Sequence, residues 1–255
     1  MPVVLVEKKS PHVTLVTLNR PERRNALSLQ LLTELIAAIK MASDQAEERI
    51  LILRGAGVAF CTGLDLKDAS DHSKAHATAD LVAKALMALG ETRLVTIAAV
   101  HGAAVAGGAG IMSACDYVVA AAKTKIGYPE VRRGLVAGLV MTFLRRQLRE
   151  RDIRELLFGG ELIEAERARE IGLVNKVVTN QAEALADAEA FAEKVLQGAP
   201  GALGQTKQLI EEFYGRSIKQ DIELALKHHM QARTSAEAKE GIAAFNEKRS
   251  PKWAG

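Results

Sequence analysis

Residues 94–121 read LVTIAAVHGAAVAGGAGIMSACDYVVAA, and the kind of fold open to the chain turns on them. Val95 to Val100 is β-branched and short, which suits a buried strand. The glycines that follow interrupt any regular element, and a helix is expected from about Ala109, with another strand at Tyr117 to Ala121. Leu94 to Ala114 contains no Asp, Glu, Lys or Arg and is about as long as a bilayer-spanning helix, roughly 20 residues. Its content is Ala, Gly and Val, with His101 and the helix breakers Gly102, Gly107, Gly108 and Gly110. That composition belongs to strand, loop and helix inside a protein core, so no membrane partner is expected.

Working outward, Val3–Glu7 and Val13–Leu18 flank a turn at Ser10-Pro11 and read as a hairpin. Ser28 is a candidate N-cap for a helix carrying Leu31, Leu32, Leu35, Ile36 and Ile39 at helical spacing. Ile50 to Leu53 is a continuous apolar run of the kind buried on both faces of a sheet. A helix around Ala79–Leu89 continues the alternation, which makes the chain α/β. From Ala137 onward helices dominate: Arg149–Phe158, Glu164–Ile171, Ala182–Leu196, Leu203–Tyr214, Ile218–Ala232 and Ala236–Glu247, with a strand at Val174–Val178. The stop Gly198-Ala199-Pro200-Gly201 divides an α/β core, 1–198, from a helical C-terminal region, 199–255.

Composition excludes several function classes. The 255 residues are 48% apolar and 25% charged, as expected for one large globular domain or a domain with an appendage. A net charge of +3 and 4% aromatic residues give neither a phosphate-binding footprint nor stacking platforms, so nucleic acid is not expected as a partner. Two cysteines, Cys61 and Cys115, and an N-terminus whose apolar run precedes its lysines fit a reduced, cytoplasmic protein. Arg145, Arg146, Arg149, Arg151 and Arg154 alternate with acids and read as a solvated helix face with i,i+4 pairs. Cys61 has no histidine partner in view and reads as a small buried residue. His228 and His229 are adjacent and point to different faces, so no metal is expected.

Two glycine-rich loops follow buried strands, 55–65 and 102–110. Neither fits the dinucleotide fingerprint, since Phe60 and Ser113 stand where its last Gly or Ala belongs. Gly108 replaces the lysine of a phosphate-binding loop, and no Gly-x-Ser-x-Gly elbow occurs. Such loops are either plain tight turns or a device that points two backbone N–H groups at one atom.

The sequence resembles the enoyl-CoA hydratase/isomerase, or crotonase, family. The resemblance is carried by Asn19-Arg20-Pro21 with Asn25-Ala26-Leu27, by Phe60–Lys67, by His101-Gly102 through Gly107-Gly108 to Cys115-Asp116, by Tyr128–Leu135, by Ala168–Asn175 and by Phe245–Pro251. It implies a crotonase-like α/β spiral of ββα units, with C-terminal helices that make trimers or dimers of trimers. It also implies a coenzyme A thioester as substrate, with no separate cofactor, since coenzyme A arrives as part of the substrate. Leu64 and Gly107 N–H would form an oxyanion hole, and Glu130 would move the proton.

The same resemblance places Arg24, Ala26, Thr62, Gly63, Asp65, Lys67, Gly110, Phe245 and Lys248 around the substrate. Asp68, Asp71, His72 and His76 would form a polar flap near the acyl group, with no role assigned to any of them. Hydratases of the family carry a second glutamate where this chain has Gly110. One carboxylate suffices to shuttle a proton between two carbons, so hydration and double-bond isomerisation both stay open, and Gly110 is expected to make room for a bulkier acyl group. A non-catalytic acyl-CoA binder is the alternative. A serine protease of similar fold is disfavoured, because no Ser, His and Asp stand at suitable positions.

Overall fold

β-branched residues of the N-terminal third pair as their pattern predicts. Val4–Ser10 (β1) and Val13–Leu18 (β2) form an antiparallel hairpin, with Val4 opposite Leu18 and Val6 opposite Val16. In the computed structural model, which describes residues 2–65 and 75–254, this hairpin opens a six-stranded sheet. It continues with Ile50–Gly55 (β3), Val95–Val100 (β4), Tyr117–Ala121 (β6) and Lys176–Val178 (β9), all parallel to β2. A smaller sheet joins Ala103–Val105 (β5), Lys125–Gly127 (β7) and Leu162–Glu164 (β8).

The helices described are Leu29–Asp44 (α1), Ala75–Glu91 (α2), Gly107–Ser113 (α3), Gly138–Gln147 (α4), Glu150–Gly159 (α5), Ala165–Glu170 (α6), Gln181–Leu196 (α7), Pro200–Glu212 (α8), Ile218–Arg233 (α9) and Ala236–Asn246 (α10). Ser28 caps α1 by accepting from Leu31 N, and Ser217 and Gln220 form a reciprocal capping box on α9.

Alternation along the strands sorts two cores. Val13, Leu15, Ile50, Ile52, Ile97 and Ala99 meet Ala184, Ala188 and Ala192 of α7, whose small residues at every fourth position let the helix lie close. The other face sends Val16, Leu18, Leu51, Leu53, Ala98 and Val100 into the main core beneath α1 and α2. Among the described residues no helix is long and apolar enough to cross a membrane.

Three strands and one helix were not visible in the sequence. β5, β7 and β8 are three residues each, too short for alternation to register, and α4 begins at a glycine with no side-chain cap. α3 starts two residues before Ala109 because Ala106, at φ 53°, turns the chain into it. The basic cluster also needs a correction. Arg154 does pair with Glu150 at 2.6 Å, but Arg146 is buried, bound to Glu211 and Asp221 with Tyr214 stacked 4.4 Å from its guanidinium. It fastens the C-terminal helices to α4.

Those helices close over one end of the core. Ile218 and Ile222 of α9 enter the main core, and α9 packs on α2 and α4. α10 lies on the 3-10 turn Pro129–Arg133, with backbones close enough that a Cβ on Gly241 would stand 2.5 Å from Arg133 O. α8 buries none of its residues and is tethered by Lys207 Nζ, which donates to Asp116 at 2.7 Å and to Leu94 O at 2.9 Å.

Candidate active site

The two glycine loops are stitched together by backbone bonds. Phe60 N donates to His101 O, Cys61 N to Ala103 O, and Val105 N back to Cys61 O at 3.0 Å, so loop 55–65 becomes an extra rung beside β5. Asn25, fully buried, holds the outer side of that loop. Its amide donates to Ala56 O at 2.9 Å and Ala59 O at 2.8 Å. Gly102, at φ 64°, must be glycine, because a Cβ there would stand 1.9 Å from Val58 O.

Leu27 then pairs with the loop end: Leu27 N donates to Gly63 O and Asp65 N to Leu27 O. Both bonds use the neighbours of Leu64, so its own N–H is turned away from Leu27. Across from it, Gly107 is the first residue of α3, where an N–H has no partner within the helix. The turns touch, since a Cβ on Gly63 would lie 3.4 Å from Gly107 N. Among the described residues neither Leu64 N–H nor Gly107 N–H has an acceptor.

Both residues line a cavity of about 470 Å³. Glu130 faces it from the 3-10 turn. Its Oε2 is shielded from solvent and has no hydrogen-bond partner, and burial pushes the carboxyl up to about 7 against the opposing pull of its own backbone N–H and of the Arg133 charge. The residue before Pro129, Tyr128, is fully buried and shares a 2.7 Å hydrogen bond with Ser113 Oγ of α3. That bond fixes the segment carrying Glu130 to the helix carrying Gly107. Val82, Leu135, Val136, Leu139 and Val140 supply an apolar wall.

Of the residues expected around a substrate, Arg24, Ala26, Thr62, Asp65 and Phe245 line this cavity. Arg24 is held left-handed, at φ 50°, with Thr62 Oγ1 donating to its carbonyl at 3.3 Å. Asp65 is bound by Arg20 at 2.9 Å, which locks the loop. Gly63 shapes the turn without lining the cavity, and Lys248 is exposed beyond α10. Lys67, with Asp68, Asp71 and His72, lies outside the described residues, while His76 is exposed on α2.

Gly110 does not open extra room. A Cβ there would stand 2.4 Å from Val140 Cγ1, so the space beside it is already filled. Cys61 is buried, its thiol pushed up to about 12 by burial, which keeps it inert.

Among the cavity residues that the sequence does not point to are Arg133, and His229 with Arg233 on α9. His229 and Arg233 are 8% and 5% exposed. Their i,i+4 spacing, which puts them on one face of the helix, is the sequence signal they leave.

A chain in which Leu64, Gly107 and the shielded carboxyl of Glu130 line one cavity has known relatives. The family model for enoyl-CoA hydratase/isomerase matches residues 8–255, and the chain belongs to that family. It is 37% identical over 254 residues to a Thermus thermophilus protein assigned as an enoyl-CoA hydratase, covering 98% of this chain and all of that one. It is 36% identical over 264 residues to the (E)-benzylidenesuccinyl-CoA hydratase of Thauera aromatica, covering 100% of both. The crystal structure of an enoyl-CoA hydratase from Mycobacterium avium superposes with a TM-score of 0.86 at 31% identity, covering 99% of each chain. The crotonase fold is therefore the fold of this chain.

Proposed function

We propose that the cavity takes the acyl part of a coenzyme A thioester and moves a proton at the carbon next to the thioester carbonyl. The observation that carries this is the placement of one shielded carboxyl, Glu130, in the same cavity as two N–H groups without acceptors, Leu64 and Gly107. The thioester oxygen sits between the two N–H groups and gains negative charge as the proton leaves. Each preorganised donor of this sort is worth about 2.7–4 kcal/mol in the transition state. Glu130 ionises near neutral pH, where a carboxylate is both available as a base and acidic enough to return the proton.

Val140 fills the side of Gly110, and the other cavity carboxylate, Asp65, is bound by Arg20. Among the described residues one carboxylate is thus left for chemistry, which favours migration of a double bond between adjacent positions of the acyl chain. Hydration of a 2-enoyl thioester by Glu130 and one water is the second reading, favoured by the hydratase names of the relatives. The exposed guanidinium of Arg24, backbone at Ala26 and Thr62, and the lysines Lys67 and Lys248 serve the coenzyme A part, so no further cofactor is needed.

Leu209, Ile210 and Phe213 at the end of α8 are exposed by 48%, 54% and 82%. This apolar face on region 199–255 is the surface through which copies of the chain form a trimer or a pair of trimers in the cytoplasm. Light scattering of the purified protein, with a Phe213→Asp variant, tests the assembly.

The absorbance of the conjugated thioester tests the reaction. A gain with 3-enoyl-CoA means isomerisation, and a loss with 2-enoyl-CoA means hydration. Tight binding with no change in either means a binder without catalysis, and refutes the enzymatic reading.

A further inference from the structure

Among the described residues, three side chains lining the cavity carry buried polar atoms with no hydrogen-bond partner: Glu130 Oε2, Arg133 Nε and His229 Nε2. Proton transfer accounts for the first and leaves the other two unexplained. A buried donor without an acceptor is costly to keep, and a half-buried guanidinium more so. Arg133 is not a surface residue that happens to reach inward. Its guanidinium is laid over the Phe245 ring at 4.3 Å, which orients it, and two residues of the 3-10 turn, Val131 and Arg132, separate it from Glu130. Glu130 is itself resistant to ionisation and so offers only part of a counter-charge. His229, which lines the same cavity, turns Nδ1 to Val136 O at 3.4 Å, leaving Nε2 over, and Arg233, one helical turn further along α9, lines it too. Burial, and after it the nearby charge of Arg233, lower the His229 pKa and favour the neutral ring, which a bound anion would reverse.

We infer that the acyl end of this cavity recognises a carboxylate, so that the preferred substrate is a thioester whose acyl chain has an apolar stem and carries a second acid group held by Arg133 and His229. The inference rests on the thioester reading above and deepens it. The apolar wall of Leu135, Leu139 and Val140 takes the stem. The carboxylate supplies the acceptor that Arg133 Nε lacks and favours a proton on His229 Nε2, which then donates to it.

The test is calorimetric binding of three probes to the full-length protein: free coenzyme A, hexanoyl-CoA and 5-carboxypentanoyl-CoA, the last two saturated and therefore unreactive. The carboxylated thioester is expected to bind about tenfold tighter than hexanoyl-CoA, as one charge-assisted hydrogen bond would give. Arg133→Met and His229→Leu should each lower that ratio toward one, and Arg133→Lys, which keeps the charge without Nε, should lower it less. Should Arg133→Met fail to fold, the wild-type ratio and Arg133→Lys still decide.

Equal or weaker binding of the carboxylated probe, with coenzyme A and hexanoyl-CoA both bound, overturns this inference alone. So does a loss of free coenzyme A affinity in Arg133→Met as large as the loss for the carboxylated probe, since the guanidinium would then serve the carrier. Failure of all three probes to bind overturns the thioester reading, and this inference with it.

Discussion

Helices α3 and α8 each carry glycines near their N-termini, in opposite surroundings. In α3 six of seven residues are buried, and a Cβ on Gly108 would stand 2.3 Å from Cys61 O. In α8 no residue is buried, and a Cβ on Gly201 or Gly204 would meet nothing within 4 Å. Glycine in the first case is demanded by the approach of two backbones, the contact that brings Leu64 and Gly107 together. In the second it only loosens a helix. The molecule thus divides into the end proposed to be reactive, built from backbone packed to its limit, and a C-terminal cover whose details are freer to vary, and the division can be attacked from either side.

The largest effect should come from the reactive end. Glu130→Gln keeps the shape and removes the ionisable group, and kcat on the active enoyl thioester should fall roughly 10²- to 10⁴-fold. Turnover within a few-fold of wild type would remove Glu130 from the mechanism and the carboxyl from the reactive end.

The same substitution should alter stability in a pH-dependent way. Burial raises the Glu130 carboxyl from 4.5 to about 7 in the folded chain. Below 4.5 both states hold the proton and nothing is lost. Between those values the unfolded chain ionises while the folded one does not, so stability declines as pH rises, by roughly 2–4 kcal/mol in total, and then levels off. Glu130→Gln lacks this decline. Urea unfolding at pH 5 and pH 8 should therefore show the variant gaining on wild type at the higher pH. An equal difference at both pH values would mean that the carboxyl is not shielded when folded.

Gly108→Ala probes the backbone contact directly. The added methyl collides with the Cys61 carbonyl, so α3 must move from loop 55–65, at a cost of about 1–3 kcal/mol, with a loss of activity beyond what the stability change explains. Denaturant midpoints and kcat on the same preparation check both halves. A neutral outcome would mean that the two turns have slack, and that the placement of Leu64 and Gly107 is not held by their contact.

How much of this was legible in the sequence follows the same division. The glycine turns and Glu130 could be read because close backbone approach leaves an imprint on residue type, and because those residues lie in the blocks shared with the family. Asn25 was legible only as part of a block. Its task, spanning Ala56 O and Ala59 O, needed coordinates. Arg146 was misread because local sequence shows Glu150 four residues on from it, whereas its true partners, Glu211 and Asp221, lie 65 and 75 residues away. His229 and Arg233 stayed hidden for a related reason. A polar residue that lines a cavity from a C-terminal helix has the same helical spacing as one that faces water, and only packing on α2 and α4 tells them apart. Val140 filling the side of Gly110 is likewise a tertiary fact with no local trace.

The smallest effect belongs to the cover. Gly204 lies just past the first turn of α8, and a methyl there touches nothing. Alanine restricts the unfolded chain and suits a helix interior, so Gly204→Ala should stabilise the protein by about 0.4–1 kcal/mol with kcat unchanged. Thermal midpoints of the two proteins under identical conditions measure it. The sign is the informative part, because Gly108→Ala makes the same chemical change with the opposite result. A destabilising Gly204→Ala would show that α8 is pressed against something, a second copy of the chain being the first candidate given the exposed Leu209, Ile210 and Phe213. The cover would then be packed as tightly in the assembly as the reactive end is within one chain.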